Sequence, residues 1–198
     1  MPNWCSTHIF IKSENKEELK SLYDLLEIWT SKNYMDNGFG VSWLGNIVLG
    51  SGIGTVNTGN ETDVECRGWL EYMSFTDDNT IMLQTETAWC PKLNMWKLLC
   101  EKYLSNSEIL YDAVEEGMGV YCTNDPDLID KYCVVTQEGT EYDLSKDEVT
   151  KTLQEELKTV GLQLKALLGL AEKETVNEDN DKYYYIYKYE EVAIEEWD

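Results

Sequence analysis

The chain of 198 residues carries 38 acidic and 16 basic side chains, which gives a net charge of −22 and a pI of about 4.2. A chain of this length can form one domain, or one domain with an appendage, and can bury roughly 70% of its unfolded surface. The acidity disfavours direct nucleic-acid binding, because phosphates are repelled and Arg67 is the only arginine.

The composition also limits compartment and cofactors. No segment reaches the roughly 18 apolar residues of a membrane span, and the first residues lack the basic and apolar regions of a signal peptide. We therefore expect a protein of the host cytoplasm. The six cysteines include no C-x-x-C pair, His8 is the only histidine, and no acidic turn has the order of an EF-hand loop. We expect reduced, mostly buried thiols, no metal and no cofactor.

The first elements are a strand and a helix. Residues Trp4 to Lys12 alternate in polarity, and the more apolar face carries Cys5, Thr7, Ile9 and Ile11. Asn15 with Glu18 three residues later is typical of a helix N-cap, and an apolar stripe at helical spacing then continues to about Ser31.

A glycine-rich segment, residues 38–60, follows the helix. It predicts short strands at Val41–Leu44 and Asn46–Leu49 and a mobile surface loop from Gly50 to Thr62. The run Gly50–Gly54 is similar to a phosphate-binding loop. However, it lacks the following Lys-Ser/Thr pair and does not open a helix, which argues against a nucleotide site.

The central stretch predicts a hairpin and a helix. Trp69–Phe75 and Thr80–Thr87 are rich in aromatic and β-branched residues, with turn residues between them. Pro91 ends the sheet and begins an amphipathic helix. Strict alternation places two sets on opposite faces of the first strand: Trp69, Glu71, Met73 and Phe75 on one, and Leu70, Tyr72 and Ser74 on the other.

Six tryptophans are expected mainly in the core: Trp4, Trp29, Trp43, Trp69, Trp89 and Trp96.

The C-terminal half begins with strands predicted at Ile109–Val114, Val120–Thr123 and Lys131–Thr136. A capping box at Ser145 then opens the longest predicted helix, about Lys146–Lys173, whose heptad seam needs a partner surface. We favour docking on the same domain over a second copy of the chain, because the seam is short for a free coiled coil.

The tail predicts a final strand. It is rich in tyrosine, and its odd-numbered members would form an adhesive edge if they were exposed: Tyr183, Tyr185, Tyr187 and Tyr189. The closing acidic residues would then continue this strand or form an acidic edge.

Three segments resemble the Api92-like, YubB-type ferredoxin-like family of phages and plasmids: Met1–Cys5, Trp69–Tyr72 and Thr87–Pro91. The match covers residues 1–125 approximately. The resemblance implies an α+β fold, a ferredoxin-like βαββαβ-type antiparallel sheet with helices packed on one face. It supplies no catalytic residues. We add a long C-terminal helix and a final strand, and predict domains at 1–140 and 141–198.

The residues favour binding over catalysis. Cys5 and His8 fall on opposite faces of their strand, and no spacing singles out a pair of catalytic carboxylates. We predict a non-enzymatic acidic binding protein of a mobile genetic element: an anti-defence inhibitor, anti-CRISPR or anti-restriction, that blocks a nucleic-acid-binding surface by charge mimicry. The predicted partner-binding residues are Glu115, Glu116, Asp125, Asp127, Asp130, Glu155, Glu156, Glu190, Glu191, Glu195 and Glu196.

The expected partner is a basic host protein such as a defence nuclease or a CRISPR effector, with no direct nucleic acid and no membrane. Three other interpretations remain open. The charge could serve solubility alone. The C-terminal helix or strand could join protomers, for example in a homodimer. The chain could also be an enzyme with a carboxylate site.

Overall fold

The computed structural model describes residues 2–115, 117, 120–129, 131–136, 141–144 and 184–197. The chain divides into unit 1, residues 1–120 with 192–198, and unit 2, residues 121–191. This division at 120/121 differs from the predicted domain boundary at 140/141.

The described residues of unit 1 form three helices, four complete strands and two short 3₁₀ segments. In chain order they are β1 (Trp4–Lys12), α1 (Lys16–Trp29), the 3₁₀ turn Gly40–Ser42, α2 (Leu44–Ser51), β2 (Gly68–Phe75), β3 (Thr80–Ala88), α3 (Leu93–Tyr103), β4 (Glu108–Glu115) and the 3₁₀ turn Ile194–Trp197. The expected α+β class is confirmed. The predicted bounds of β1 agree with the structure, and those of β3 and β4 agree to within one residue at either end.

The sheet of unit 1 has the order β2-β3-β1-β4, and every neighbouring pair is antiparallel. β1 lies between two partners, and Ile9 stands opposite Leu83 on β3 and Tyr111 on β4. The burial of β1 alternates residue by residue, with Cys5, Thr7, Ile9 and Ile11 on the buried face. The apolar face predicted from the sequence is therefore the core face.

β2 departs from strict alternation. Leu70 pairs with Thr85 and Tyr72 pairs with Gln84, which leaves Glu71 as an extra residue in a β-bulge. The bulge reverses the faces of the residues that follow it. The predicted grouping of Trp69, Glu71, Met73 and Phe75 on one face is therefore wrong.

The helices of unit 1 bury apolar stripes and are fixed at their ends by polar contacts. The Asn15 side chain accepts a hydrogen bond from the Glu18 amide at 3.2 Å, which confirms the predicted N-cap of α1. Lys102 on α3 donates from Nζ to the carbonyl oxygens of Ser51 (2.7 Å) and Gly52 (3.0 Å). α3 thus satisfies carbonyls at the C-terminal end of α2.

The segment predicted as two short strands is helical instead. Residues 40–42 form a 3₁₀ turn, and α2 occupies Leu44–Ser51. Gly52, at φ +65°, ends α2 in the left-handed conformation that glycine adopts readily. A short buried apolar run does not distinguish a strand from a helix by periodicity, which is why both strand predictions were wrong here.

The last described residues belong to unit 1. The Tyr111 hydroxyl donates to the Val192 carbonyl at 2.8 Å, and the Trp197 indole Nε1 donates to the Tyr111 oxygen at 2.8 Å. Lys97 on α3 forms an ion pair with Glu195 at 3.3 Å. These contacts fix the 3₁₀ turn Ile194–Trp197, which the sequence left open between a strand continuation and an acidic edge.

Unit 2 contains two strand groups in its described part. β6 (Tyr132–Thr136) lies between β7 (Glu141–Leu144) and β8 (Tyr184–Lys188), and both pairings are antiparallel. β5 (Val120–Thr123) pairs in parallel with β9 (Glu190–Glu191). The predicted helix 146–173 lies outside the described residues.

The adhesive tyrosine edge required exposed side chains, and Tyr189 does not meet that condition. Tyr189 is 4% exposed, and its ring meets Tyr121 edge to face at 6.4 Å. Tyr183 and the side chains of Tyr185 and Tyr187 lie outside the described part of the chain. The assembly interpretation therefore lacks support from Tyr189.

Candidate functional site

The predicted acidic residues are divided between the two units. Among those described, Asp127, Glu190, Glu191, Glu195 and Glu196 are exposed and Asp125 is half-buried. Asp125, Asp127, Glu190 and Glu191 belong to unit 2, whereas Glu115, Glu195 and Glu196 belong to unit 1. The other four predicted residues lie outside the described part: Glu116, Asp130, Glu155 and Glu156.

Glu115 does not fit the predicted acidic surface. It is 2% exposed, and its Oε1 accepts a hydrogen bond from the Gly117 amide at 2.9 Å. Glu115 follows Tyr111 and Ala113 on the buried side of β4, where the period of two places it. A partner cannot reach a carboxylate so placed, so including Glu115 among the partner-binding residues was wrong.

The exposed acids differ in their surroundings. Hydrogen bonds from its own backbone amide and from Lys97 lower the pKa of Glu195, which keeps it ionised, and the ion pair with Lys97 offsets its charge within unit 1. Glu190 and Glu191 are exposed successive residues of β9. Within the described ranges, neither belongs to an ion pair.

The structure places Cys5 and His8 apart, as the alternation predicted. Cys5 lies on the buried face of β1, while His8 is half-exposed and its Nδ1 lies 2.9 Å from Asp112 Oδ1. Among the residues that the structure describes, no group of three or more His, Cys, Asp or Glu side chains is arranged to hold a metal ion.

Unit 1 contains a cleft of 810 Å³ that the sequence analysis missed. Its apolar lining includes four buried residues: Trp43, Val56, Cys66 and Ala88. Charged residues also line it: Asp36, Glu65, Arg67 and Lys92. The remaining lining residues are Met35, Asn37, Gly38, Phe39, Asn57 and Trp89. A volume of this size is typical of small-molecule sites.

One wall of the cleft is the loop before α2, and Asn46 fixes it. Asn46 is fully buried; its Oδ1 accepts from the Tyr34 amide at 3.1 Å, and its Nδ2 donates to the carbonyls of Gly40 (3.1 Å) and Val41 (3.0 Å). Asn37 adds a local turn, because its Oδ1 accepts from the amides of Phe39 and Gly40. Two asparagines thus set the shape of this wall.

A second wall is the loop 55–63, which is organised by one carboxylate. Asp63 Oδ1 accepts from the hydroxyls of Thr55 and Thr58 at 2.7 Å, and Oδ2 accepts from the amides of Thr58 (2.8 Å) and Gly59 (2.7 Å). The hydrogen bond from the Thr58 side chain is the main cause that lowers the pKa of Asp63. Asp63 thereby closes the loop that brings Val56 and Asn57 to the cleft.

The basic residues of the cleft come from two extended segments. Residues 65–67 alternate, so Cys66 points inward while Glu65 and Arg67 are exposed. The Arg67 carbonyl accepts from the Ala88 amide at 2.9 Å, which ties this segment to the end of β3. Lys92 lies beyond that end and donates from Nζ to Glu65 Oε2 at 2.5 Å and to Cys90 Sγ at 3.3 Å.

Lys92 and Cys66 show what the cleft can do chemically. Burial lowers the pKa of the Lys92 ammonium, but hydrogen bonds to Glu65 and Cys90 raise it by more, so the amine stays protonated. Burial also raises the pKa of the Cys66 thiol to about 12, which keeps it uncharged. A protonated amine and a neutral thiol are poor nucleophiles, and this arrangement suits binding better than covalent catalysis.

Trp89 was expected mainly in the core, but it is 45% exposed at the cleft. Its backbone has φ +72°, a conformation that costs a bulky residue roughly 1–3 kcal/mol. The Trp89 amide donates to the Asn3 carbonyl at 2.9 Å, and the Thr87 hydroxyl donates to the Cys90 carbonyl at 2.9 Å. Contacts on both sides therefore hold the strained residue in place.

Two signals in the sequence could have indicated the cleft. Arg67 is the only arginine in a chain with 38 acids, and Trp89 lies between β3 and Pro91, which was predicted to begin α3 but precedes its first residue, Leu93, by two positions. Backbone pairing beside the β2–β3 ladder brings Arg67 and Trp89 to the same end of the sheet, and the loops 35–39 and 55–63, which have no periodicity, complete the cleft. Their convergence was therefore outside the reach of pattern analysis.

Comparison with known proteins gives no further indication of a site. No protein-family model, curated protein or solved structure matches this chain. In the part of the chain that the structure describes, no helix is long and apolar enough to span a membrane.

Proposed function

We propose that this chain is a non-enzymatic acidic binding protein that occupies a basic, nucleic-acid-binding surface of a partner protein. The observation that carries the proposal is the exposure of Glu190 and Glu191, consecutive carboxylates that belong to no ion pair within the described ranges. Carboxylates and phosphates are bound by arginine and lysine with similar geometry, so exposed glutamates can substitute for backbone phosphates.

The arrangement of nucleophiles supports binding rather than catalysis. In the described residues, Cys5 and His8 lie on opposite faces of β1, and the Cys66 thiol of the cleft stays neutral. Catalysis by a nucleophile needs an activating base within hydrogen-bond reach, and Cys5 and His8 do not form that pair with each other because their side chains point to opposite faces of β1.

The proposal extends to fold and origin. The antiparallel order β4-β1-β3-β2, with α1 after β1 and α3 after β3, supports a ferredoxin-like fold for unit 1, with α2 as an addition before β2. Together with the three segments described above, it supports membership of the Api92-like family. We accordingly propose that the partner is a host defence protein, a restriction nuclease or a CRISPR effector.

Displacement of DNA tests this function. A labelled duplex is bound to each member of a panel of purified restriction nucleases and CRISPR effectors, and its anisotropy is followed as the chain is added. We expect displacement from at least one member, weakening as salt rises, since salt screens contacts between exposed charges.

Charge reversal assigns the effect to β9. The double variant Glu190→Lys/Glu191→Lys should lose displacement, because two lysines are repelled by a basic surface. The matched control Glu61→Lys/Asp77→Lys makes the same charge change at two other exposed positions and should displace like the unaltered chain. Equal displacement by both double variants, or none by the unaltered chain on any panel member, would refute the proposed function.

A further inference from the structure

We propose that the cleft of unit 1 binds a planar aromatic anion, a ring bearing a phosphate or a carboxylate. No step of this proposal depends on the acidic residues of β9. It rests on three observations about the cleft: an arginine without an ion-pair partner in the described part of the chain, an exposed tryptophan held in a strained conformation, and an apolar lining.

The anionic group is assigned to Arg67. Lys92 already forms an ion pair with Glu65, with 2.5 Å between Nζ and Oε2. Arg67 is exposed, lines the cleft, and forms no ion pair with any described residue, although the chain carries 38 acids. A guanidinium presents a planar fork of donors that matches a carboxylate or a phosphate at two points.

The aromatic group is assigned to Trp89. Trp89 and Met35 are the cleft residues with large exposed apolar side chains, at 45% and 41% exposure. A tryptophan face stacks well on a planar ring, and a methionine thioether adapts to the edge of one. The buried side chains of Trp43 and Val56 complete an apolar lining beneath them.

The charged residues that line the cleft permit an anion to bind, although the chain as a whole is strongly negative. Arg67 and Lys92 balance Asp36 and Glu65, so the charged lining residues sum to zero in a chain of net charge −22. The cleft is therefore less negative than the molecule on average. Its 810 Å³ accommodates a ligand the size of a mononucleotide.

Calorimetric titration of the full chain tests the site. The probes are adenosine and guanosine monophosphate, indole-3-acetate as an aromatic carboxylate, and inorganic phosphate and neutral indole as the separate halves. We expect at least one aromatic anion to bind and both halves to bind more weakly. Nucleotide binding would identify a phosphate ligand, and indole-3-acetate binding a carboxylate ligand.

Two variants locate the binding. Arg67→Gln should weaken it about tenfold or more, as expected for loss of a charge-assisted hydrogen-bonding group. Trp89→Gly should also weaken it while leaving the fold intact, because glycine adopts φ +72° without strain. The controls Lys16→Gln and Tyr72→Ala remove an exposed cation and an exposed ring outside the cleft, and should bind like the unaltered chain.

The proposal is overturned by either of two results. One is that no aromatic anion binds at millimolar concentration. The other is that binding is unchanged in both Arg67→Gln and Trp89→Gly, which would place the ligand elsewhere. A chain that binds an aromatic anion but displaces no DNA would keep this site and discard the proposed function.

Discussion

The sheet of unit 1 and the cleft beside it are built by different kinds of interaction. In the sheet, β1 is positioned by alternation: Ile9 meets Leu83 on one side and Tyr111 on the other, and all three are buried. In the cleft, Asn46 and Asp63 position whole loops through hydrogen bonds to the backbone. Many similar apolar contacts stabilise the sheet, whereas a few hydrogen-bonding side chains determine the shape of the cleft.

The largest expected effect is in the sheet. Ile9→Ala removes a buried side chain between two strands and should lower the free energy of unfolding by about 2–5 kcal/mol. Denaturant titration should show this loss in unit 1 as a whole, because the core is shared by all four strands. A loss below 1 kcal/mol would mean that β1 is not central to stability.

Asn46→Ala should come second. It removes the acceptor of the Tyr34 amide and the side-chain donor of the Val41 carbonyl, and leaves the Gly40 carbonyl with only its two longer hydrogen bonds, from the Trp43 amide and Asn37 Nδ2, at a cost of about 1–3 kcal/mol. Unlike Ile9→Ala, the variant should increase amide hydrogen exchange mainly in residues 33–42. If amide protection of residues 33–42 were the same in Ile9→Ala and Asn46→Ala, the loop would not depend on Asn46 more than on the sheet.

A smaller effect should appear as a pH dependence. Hydrogen bonds lower the pKa of Asp63 below its unfolded value, so the stability it contributes is present above the unfolded pKa and is lost as pH falls through the folded pKa. Asp63→Asn should remove that acid-side loss. The measurement is the hydrogen-exchange protection of the loop 55–63 between pH 3 and pH 6. If this protection changed with pH identically in the unaltered chain and in Asp63→Asn, Asp63 would not be the group that stabilises the loop.

Trp89→Gly should have the smallest effect on stability. Relief of the positive φ opposes the loss of the partly buried ring, so the free energy of unfolding should change by less than about 1 kcal/mol. Trp96→Gly is the contrast, since Trp96 is buried within α3 and its loss should be severe. Comparable thermal unfolding of the two variants would show that Trp89 is a structural residue.

The contrast between regions also explains what the sequence could predict. Periodicity located β1, α1, the β2–β3 hairpin and α3, because each buries one regular face. It failed at residues 41–49, where an apolar run suits a helix as well as a strand, and at Glu71, where one extra residue reversed the faces. It could have excluded Glu115, whose spacing from Tyr111 and Ala113 already placed it inward.

The cleft was beyond prediction for a different reason. Its cations, Arg67 and Lys92, are separated by 25 positions in the sequence; Arg67 directly precedes β2, and its backbone pairs with Ala88 at the end of β3, four residues before Lys92. Periodicity predicted the hairpin but not its pairing register, and the other walls are loops fixed by Asn46 and Asp63. The composition, with 38 acids and one arginine, predicts an acidic surface and does not indicate a basic residue at a cleft.

The hydrogen bond between Tyr111 and Trp197 has a consequence for the order of folding. It joins residues 86 positions apart, and the whole of unit 2 is inserted between them. Closing so long a loop carries an entropic cost that grows slowly with length, and contacts of this separation form late. During synthesis, unit 1 can therefore assemble its sheet early, but it acquires its last stabilising turn only after the inserted unit has been made.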